Sequence, residues 1–231
     1  MRALILAAGR GSRLSYKTKN KPKALVKIDN KEILYYQLTV LKKLNITDVC
    51  IVVGYKANKI IQFIRKLKNF NFKIILNKIY NKTDSAYSYS LAKDFIKNTD
   101  YIHMNCDIIF NKTVLKNILN SKKKNLLSSR SDIELTEKMD LIKTKKTKIV
   151  KFENKFYPGA EKKVFGLGKI SPKLSKVMIN LIESDIKKKR YNKKCFSYFN
   201  KLCNKYKIYS MSFKKNQLRE INYLNDIKNR K

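Results

Sequence analysis

The chain has no tryptophan, one histidine and three prolines in 231 residues, and 17 acids stand against 54 lysines and arginines. Each scarcity excludes something. The lone histidine, His103, and the four cysteines (50, 106, 195 and 203) form no C-x-x-C pair or Cys/His cluster, so no structural zinc site is expected. In a chain of this length the cysteines read as buried free thiols, and no disulfide framework is expected. No apolar run approaches the roughly 18 residues that a membrane-crossing helix needs. ALILAA at 3–8 is also too short for a signal-peptide core with its cleavage site. A soluble, cytoplasmic protein without a membrane partner is the expectation.

The hydrophobic content is 43%, enough for one substantial core, so a single domain over 1–231 is expected. The formal net charge is +37. Such a balance raises nucleic acid as a partner. Three features argue against that as the primary role. Only eight of the cations are arginine, at 2, 10, 13, 65, 130, 190, 219 and 230. The lysines run through the whole chain, and isoleucine and asparagine are abundant with them. No aromatic-and-arginine platform stands out. The positive field would still draw in small anionic substrates.

The first half alternates strands and helices. Strands are expected at 2–8, 49–55, 72–77 and 101–110, and helices at 31–45, 57–69, from the Thr83-Asp84-Ser85 cap onward, and near 111–121. This is the rhythm of an α/β fold: a Rossmann-like, mostly parallel twisted sheet with helices on both faces. The second half changes tempo. Shorter strands within 125–170 predict a small antiparallel edge or lid, an excursion from the single domain that could contact a substrate or a second copy; monomer and homodimer both stay open. Two helices (172–189 and about 194–205), a strand at 206–213 and a helix after Asn222 complete the chain.

In sheets of this kind ligands sit beyond the carboxyl ends of the strands. Gly9, Gly54 and Asp107 all fall at expected strand ends. The loop Ala8-Gly9-Arg10-Gly11-Ser12-Arg13 lacks the Lys-Ser/Thr of a P-loop and the third glycine of a dinucleotide loop. Two glycines still allow successive N–H groups to face an anion, and a helix start after the loop would add its dipole. On the glycines alone, a phosphate cradle and a plain strand-to-helix turn are equally good readings.

The next segment separates them. LAAGRGSRL (6–14) followed by KPKAL (21–25) resembles the joint signature of the sugar-phosphate and alcohol-phosphate nucleotidyltransferases. Looser similarity continues through VGY (53–55), SYSLAK (88–93), NCDIIF (105–110), FGLGKIS (165–171) and REINYLNDI (219–227). The resemblance implies a mechanism. Leu6, Ala7, Ala8, Gly9, Arg10, Gly11 and Ser12 would hold a nucleoside triphosphate, with Ser88 at the base and Asp107 beside the phosphates. Arg13 and Lys23 would be the catalytic cations. Asp107 would hold Mg²⁺ together with Asn222, where the family usually has an aspartate; Glu220 is the fallback ligand.

Within that family the chain most resembles the short branch typified by CTP:phosphocholine cytidylyltransferases. CTP and a small phosphorylated acceptor are therefore the implied partners, with phosphocholine, phosphoethanolamine, aminoethylphosphonate and phosphoglutamine as acceptor types, in surface-glycan decoration. A sugar-1-phosphate enzyme using UTP or dTTP is the alternative within the family; a basic nucleic-acid-binding protein is the alternative outside it. Without tryptophan, a choline cage would rest on residues such as Tyr16, Phe156 or Tyr157. Arg130 with Lys155 or Lys169 would meet an acceptor carboxylate or phosphate, and Glu137 and Asp140 an ammonium.

Overall fold

A computed structural model describes residues 1–228. One nine-stranded sheet forms its centre, in the spatial order 71–76, 48–53, 2–7, 101–105, 162–170, 126–130, 209–212, 148–153, 141–145. Strand Arg2–Ala7 lies between two parallel neighbours, Asp48–Val53 and Tyr101–Asn105. It is apolar at consecutive positions because both of its faces are covered. Ala3, Ile5 and Ala7 pack with Leu34, Leu38, Ile60 and Val114, from helices Ile33–Lys43, Ala57–Arg65 and Lys112–Asn120. Leu4 and Leu6 pack with Tyr89, Leu174, Met178 and Phe199, from the helices on the opposite face. The α/β architecture with helices on both faces thus follows the sequence pattern closely.

Four strands on one side of the sheet are parallel, and the rest is mixed. Lys162–Ile170 runs antiparallel to Tyr101–Asn105, and Leu126–Arg130 pairs antiparallel with it. Tyr209–Ser212 lies parallel to Leu126–Arg130. The stretch 125–170 is therefore built into the main sheet at both of its ends. The strand 126–130 is buried at every position, a pattern only an interior strand sustains. Only the hairpin of Leu141–Lys145 and Lys148–Glu153 sits at the sheet edge, and its first strand also pairs with the start of 162–170.

Two local departures from the expected elements matter for the site. The strand expected over 101–110 ends at Asn105, and Asp107 occupies a tight turn before a short strand, Ile108–Phe110. That short strand leaves the main sheet to pair antiparallel with Leu218–Glu220. The segment after the opening loop, Ser12–Thr18, forms 3₁₀ turns interrupted at Ser15 (φ 49°), so it carries no continuous α-helical dipole.

His103 lies on the central strand with its ring fully enclosed by Tyr89 and Phe196. Burial pushes its pKa down to about 4, against a partial offset from the Asn105 side chain. The unfolded chain binds a proton there near pH 6.5, the folded chain only near 4. Stability therefore falls as pH drops through this window and levels off below it. Between pH 7 and pH 5 the protein should lose about 2 kcal/mol of unfolding free energy from this group. Urea denaturation at the two pH values measures it, and His103→Gln should remove most of the slope. An unchanged slope in that variant would assign it to other groups.

Candidate functional site

Beyond the carboxyl ends of the parallel strands lies a cavity of about 300 Å³. It is lined by the strand-to-loop junction at Leu6, Ala8 and Gly9, by residues of the 83–88 segment, and by Lys23 and Asp107. Sequence-distant pieces meet here because each follows a strand that ends at the same edge.

Gly11 has φ +76°, a left-handed conformation that suits glycine. A Cβ at this position would come within 2.7 Å of the Lys23 side-chain carbons. The glycine thus lets the lysine stem lie against the loop. Thr18 Oγ1 donates to the Gly11 carbonyl at 3.1 Å and holds the loop down from outside. On the other side, the Tyr55 N–H donates to the Ala8 carbonyl at 2.9 Å.

Lys23 is almost fully buried, and its ammonium donates to Asp107 Oδ2 at 2.6 Å and to Asn222 Oδ1 at 2.9 Å. Arg13 Nη2 donates to the same Asn222 oxygen at 2.6 Å. The Asn222 side chain therefore faces the cations, and does not cap the terminal helix; its backbone N–H, with that of Tyr223, donates to Asp226 Oδ2. The Ile221 N–H donates to the Asp107 carbonyl at 2.9 Å, which fastens the chain's last strand to this corner.

Of the expected nucleotide residues, Leu6, Ala8, Gly9, Gly11, Ser88 and Asp107 line the cavity, and Ala7, Arg10 and Ser12 do not. Ser88 is buried against it, and its Oγ accepts from Asn77 Nδ2 at 3.1 Å, whose amide also donates to Thr83 Oγ1 at 3.0 Å. Asp84 caps the following helix as its sequence implies. Asn77, Tyr80, Asn105 and Lys194 also line the cavity and were not anticipated. Asn77 could have been found, since it follows the third strand as Gly54 follows the second. Lys194 carries no signal among so many lysines. Arg10 points elsewhere, its guanidinium lying 5.6 Å from the Tyr55 ring centroid.

The expected acceptor residues scatter. Arg130 is buried in a neighbouring cavity, but its donors are taken by Asp132 and the Leu218 carbonyl. Asp140 lines the first cavity; burial raises its pKa, opposed by the Asn154 amide. Glu137 and Lys155 are exposed and line neither cavity. Lys169 points to the far end of the sheet, where its ammonium donates to the Ser121 carbonyl after helix Lys112–Asn120 and is lost to the site. Tyr16 and Phe156 are exposed, and Tyr157 is buried beneath Lys151; the three form no cage. Lys163, which sequence reasoning missed, pairs with Glu220 between the two cavities, so Glu220 is already occupied by a cation.

Among the described residues no group of three or more His, Cys, Asp or Glu could enclose a metal. Asp107 Oδ1 nevertheless is buried and has no hydrogen-bond partner. It is a hard oxygen donor of the kind Mg²⁺ takes alongside phosphate oxygens, whereas Asn222 Oδ1 already accepts from Lys23 and Arg13 and would have to release one of them to join it. The donor set fits a divalent ion that relies on its substrate for the remaining ligands.

Comparison with known proteins gives the family and similar folds. The family profile described as nucleotidyl transferase matches residues 2–216. The chain is 33% identical over 129 residues to a CTP:phosphoglutamine cytidylyltransferase of Campylobacter jejuni subsp. jejuni, covering 54% of this chain and 50% of that protein. It is 35% identical over 119 residues to a choline-phosphate cytidylyltransferase of Streptococcus pneumoniae, covering 52% and 50%. The chain thus aligns with about half the length of these curated relatives. Among solved structures, a CTP:phosphocholine cytidylyltransferase from Streptococcus pneumoniae superposes with a TM-score of 0.81 at 22% identity, over 98% of this chain and 96% of that one. An inositol-1-phosphate CTP transferase from T. maritima gives 0.81 at 21% identity, over 97% and 90%. No helix among the described residues is long and apolar enough to cross a membrane.

Breaking a buried ion pair from one side leaves a charge without its counter-charge. A stability cycle of Lys23→Met, Asp107→Asn and the double variant should give a coupling of at least about 1 kcal/mol, read from urea denaturation. Strict additivity would show that the two side chains do not depend on each other.

Proposed function

The chain belongs to the nucleotidyl transferase family, and on that premise we propose that it transfers a cytidylyl group from CTP to a small phosphorylated acceptor, releasing pyrophosphate. The observation that carries this reading is the enclosed Lys23–Asp107 pair at 2.6 Å, its lysine stem against Gly11, lining the cavity of about 300 Å³.

An acceptor phosphate oxygen attacks the α-phosphorus of CTP, and the bond to the bridging oxygen of pyrophosphate breaks in line. The nucleophile is already an anion, so no covalent enzyme intermediate is required. The obstacle is repulsion between two polyanions, and the protein's task is to position them and screen their charge. The loop from Ala8 to Ser12 holds the triphosphate with its backbone N–H groups. The Lys23 ammonium neutralises charge at the α-phosphate, and Arg13, beside it through their shared Asn222 oxygen, neutralises the leaving pyrophosphate. Ser88, fixed by Asn77, and the backbone at Ala7 and Ala8 read the polar edge of the base. Asp107 and Asn222 would hold Mg²⁺, which adds charge screening on the phosphates when bound. A surface-glycan role and location in the cytoplasm accord with the small phosphorylated acceptors of the similar proteins and belong to this proposal.

A pyrophosphate-release screen of four nucleoside triphosphates against a panel of phosphomonoesters tests it. Turnover should require CTP, and Lys23→Ala and Asp107→Ala should each lower it by at least about a hundredfold, the usual cost of losing an electrostatic contact to a transition state. Activity only with UTP or dTTP and a sugar 1-phosphate would move the assignment to that class. Near-normal turnover in either variant would remove that residue's role.

A further inference from the structure

Beside the nucleotide cavity lies a second one of about 390 Å³, and Glu220 lines both. If cytidylyl transfer takes place as proposed above, the acceptor's remaining substituents occupy this second space. Its chemistry can be read from which groups already have partners.

Two aromatic rings face the cavity, and both already carry protein cations. Arg130 and Lys163 lie 5.6 and 4.8 Å from the Phe165 centroid, and Arg13 lies 5.3 Å from that of Tyr223. A quaternary ammonium would have to displace a side-chain cation from either ring, and would meet like charge on arrival. Each of the three carboxylates already accepts hydrogen bonds. Asp132 accepts from Arg130 Nε at 2.7 Å and from the Lys215 N–H at 2.8 Å. Glu220 accepts from Lys163, and Asp226 Oδ2 accepts two backbone N–H groups at 2.7 Å each. What stays open is positive. Among the described residues the Lys215 ammonium has no partner, and Arg219 uses one nitrogen on the Asp226 carbonyl, leaving the rest of its guanidinium free.

We propose that the acceptor carries, besides the phosphate that attacks, a second anionic group such as a carboxylate, which Lys215 and Arg219 receive, and that the site discriminates against a quaternary ammonium. This assignment rests on the cytidylyl-transfer reading, and places the selectivity in residues that reading does not use. The roles expected of Lys155 and Lys169 pass to Lys215 and Arg219, and Arg130 serves by fixing Asp132.

The test compares two phosphomonoesters of similar size, 3-phosphoglycerate and phosphocholine. With CTP the carboxylated acceptor should have a kcat/KM at least about tenfold higher, the usual return of a charge-assisted contact. Titration calorimetry on the same pair, with CTP and without it, should show the same preference in Kd. Lys215→Glu, at an exposed side chain, should erase about tenfold of the preference while leaving CTP affinity unchanged. Phosphocholine used or bound as well as 3-phosphoglycerate, or a preference untouched by Lys215→Glu, would overturn the proposal. Binding preference without CTP-dependent turnover on any acceptor would keep it and overturn the cytidylyl-transfer reading.

Discussion

The ammonium of Lys23 ties together three parts of the chain that are far apart in sequence. It reaches Asp107, on the turn after the fourth parallel strand, and Asn222, just before the terminal helix. Gly11 makes room for its stem. A charged group this deeply enclosed persists only when its counter-charge and acceptors are supplied at short range. The requirement fixes the relative placement of the opening loop, the Asp107 turn and the chain's end. The pairing of Ile108–Phe110 with Leu218–Glu220 serves the same end, because it brings Asn222 to the cations.

The mixed sheet explains how so small a chain provides two adjoining cavities. Its parallel half delivers loop 8–13 and Asp107 to one edge, as strand-end geometry requires. The strand Lys162–Ile170 then reverses direction next to Tyr101–Asn105 and sets Lys163 and Phe165 beside that edge. The two cavities are thus contributed by strands of opposite sense in one sheet, and Glu220 with Lys163 marks the seam.

Much of this was legible beforehand, for identifiable reasons. Continuous apolar runs ending in glycine or acid mark buried strands with functional ends, and they gave the parallel half, Gly9, Gly11 and Asp107. The two-part signature gave Arg13 and Lys23, and its counterpart near the terminus gave Asn222. The lining of the second cavity was not legible. Lys169 and Lys163 lie on one strand, six residues apart, yet Lys169 satisfies helix-end carbonyls and Lys163 stands between the cavities. Only strand direction and register decide this, and lysine-rich composition hides which cations are enclosed. The break at Asp107 was likewise hidden, since an apolar run resumes at Ile108 and alternation alone does not announce a turn.

The short contact between Lys23 and Asp107 also sets how the cleft exchanges charge. The Asp107 charge is met by the protein's own cation, so this carboxylate does not face the cleft unpaired. On the proposed reading a triphosphate would compete with Asp107 for that ammonium, and nucleotide binding would be ion exchange, a swap of partners around a nearly constant local charge. Affinity would then report a difference between two ion pairs, and the lysine would return to its old partner when the nucleotide leaves.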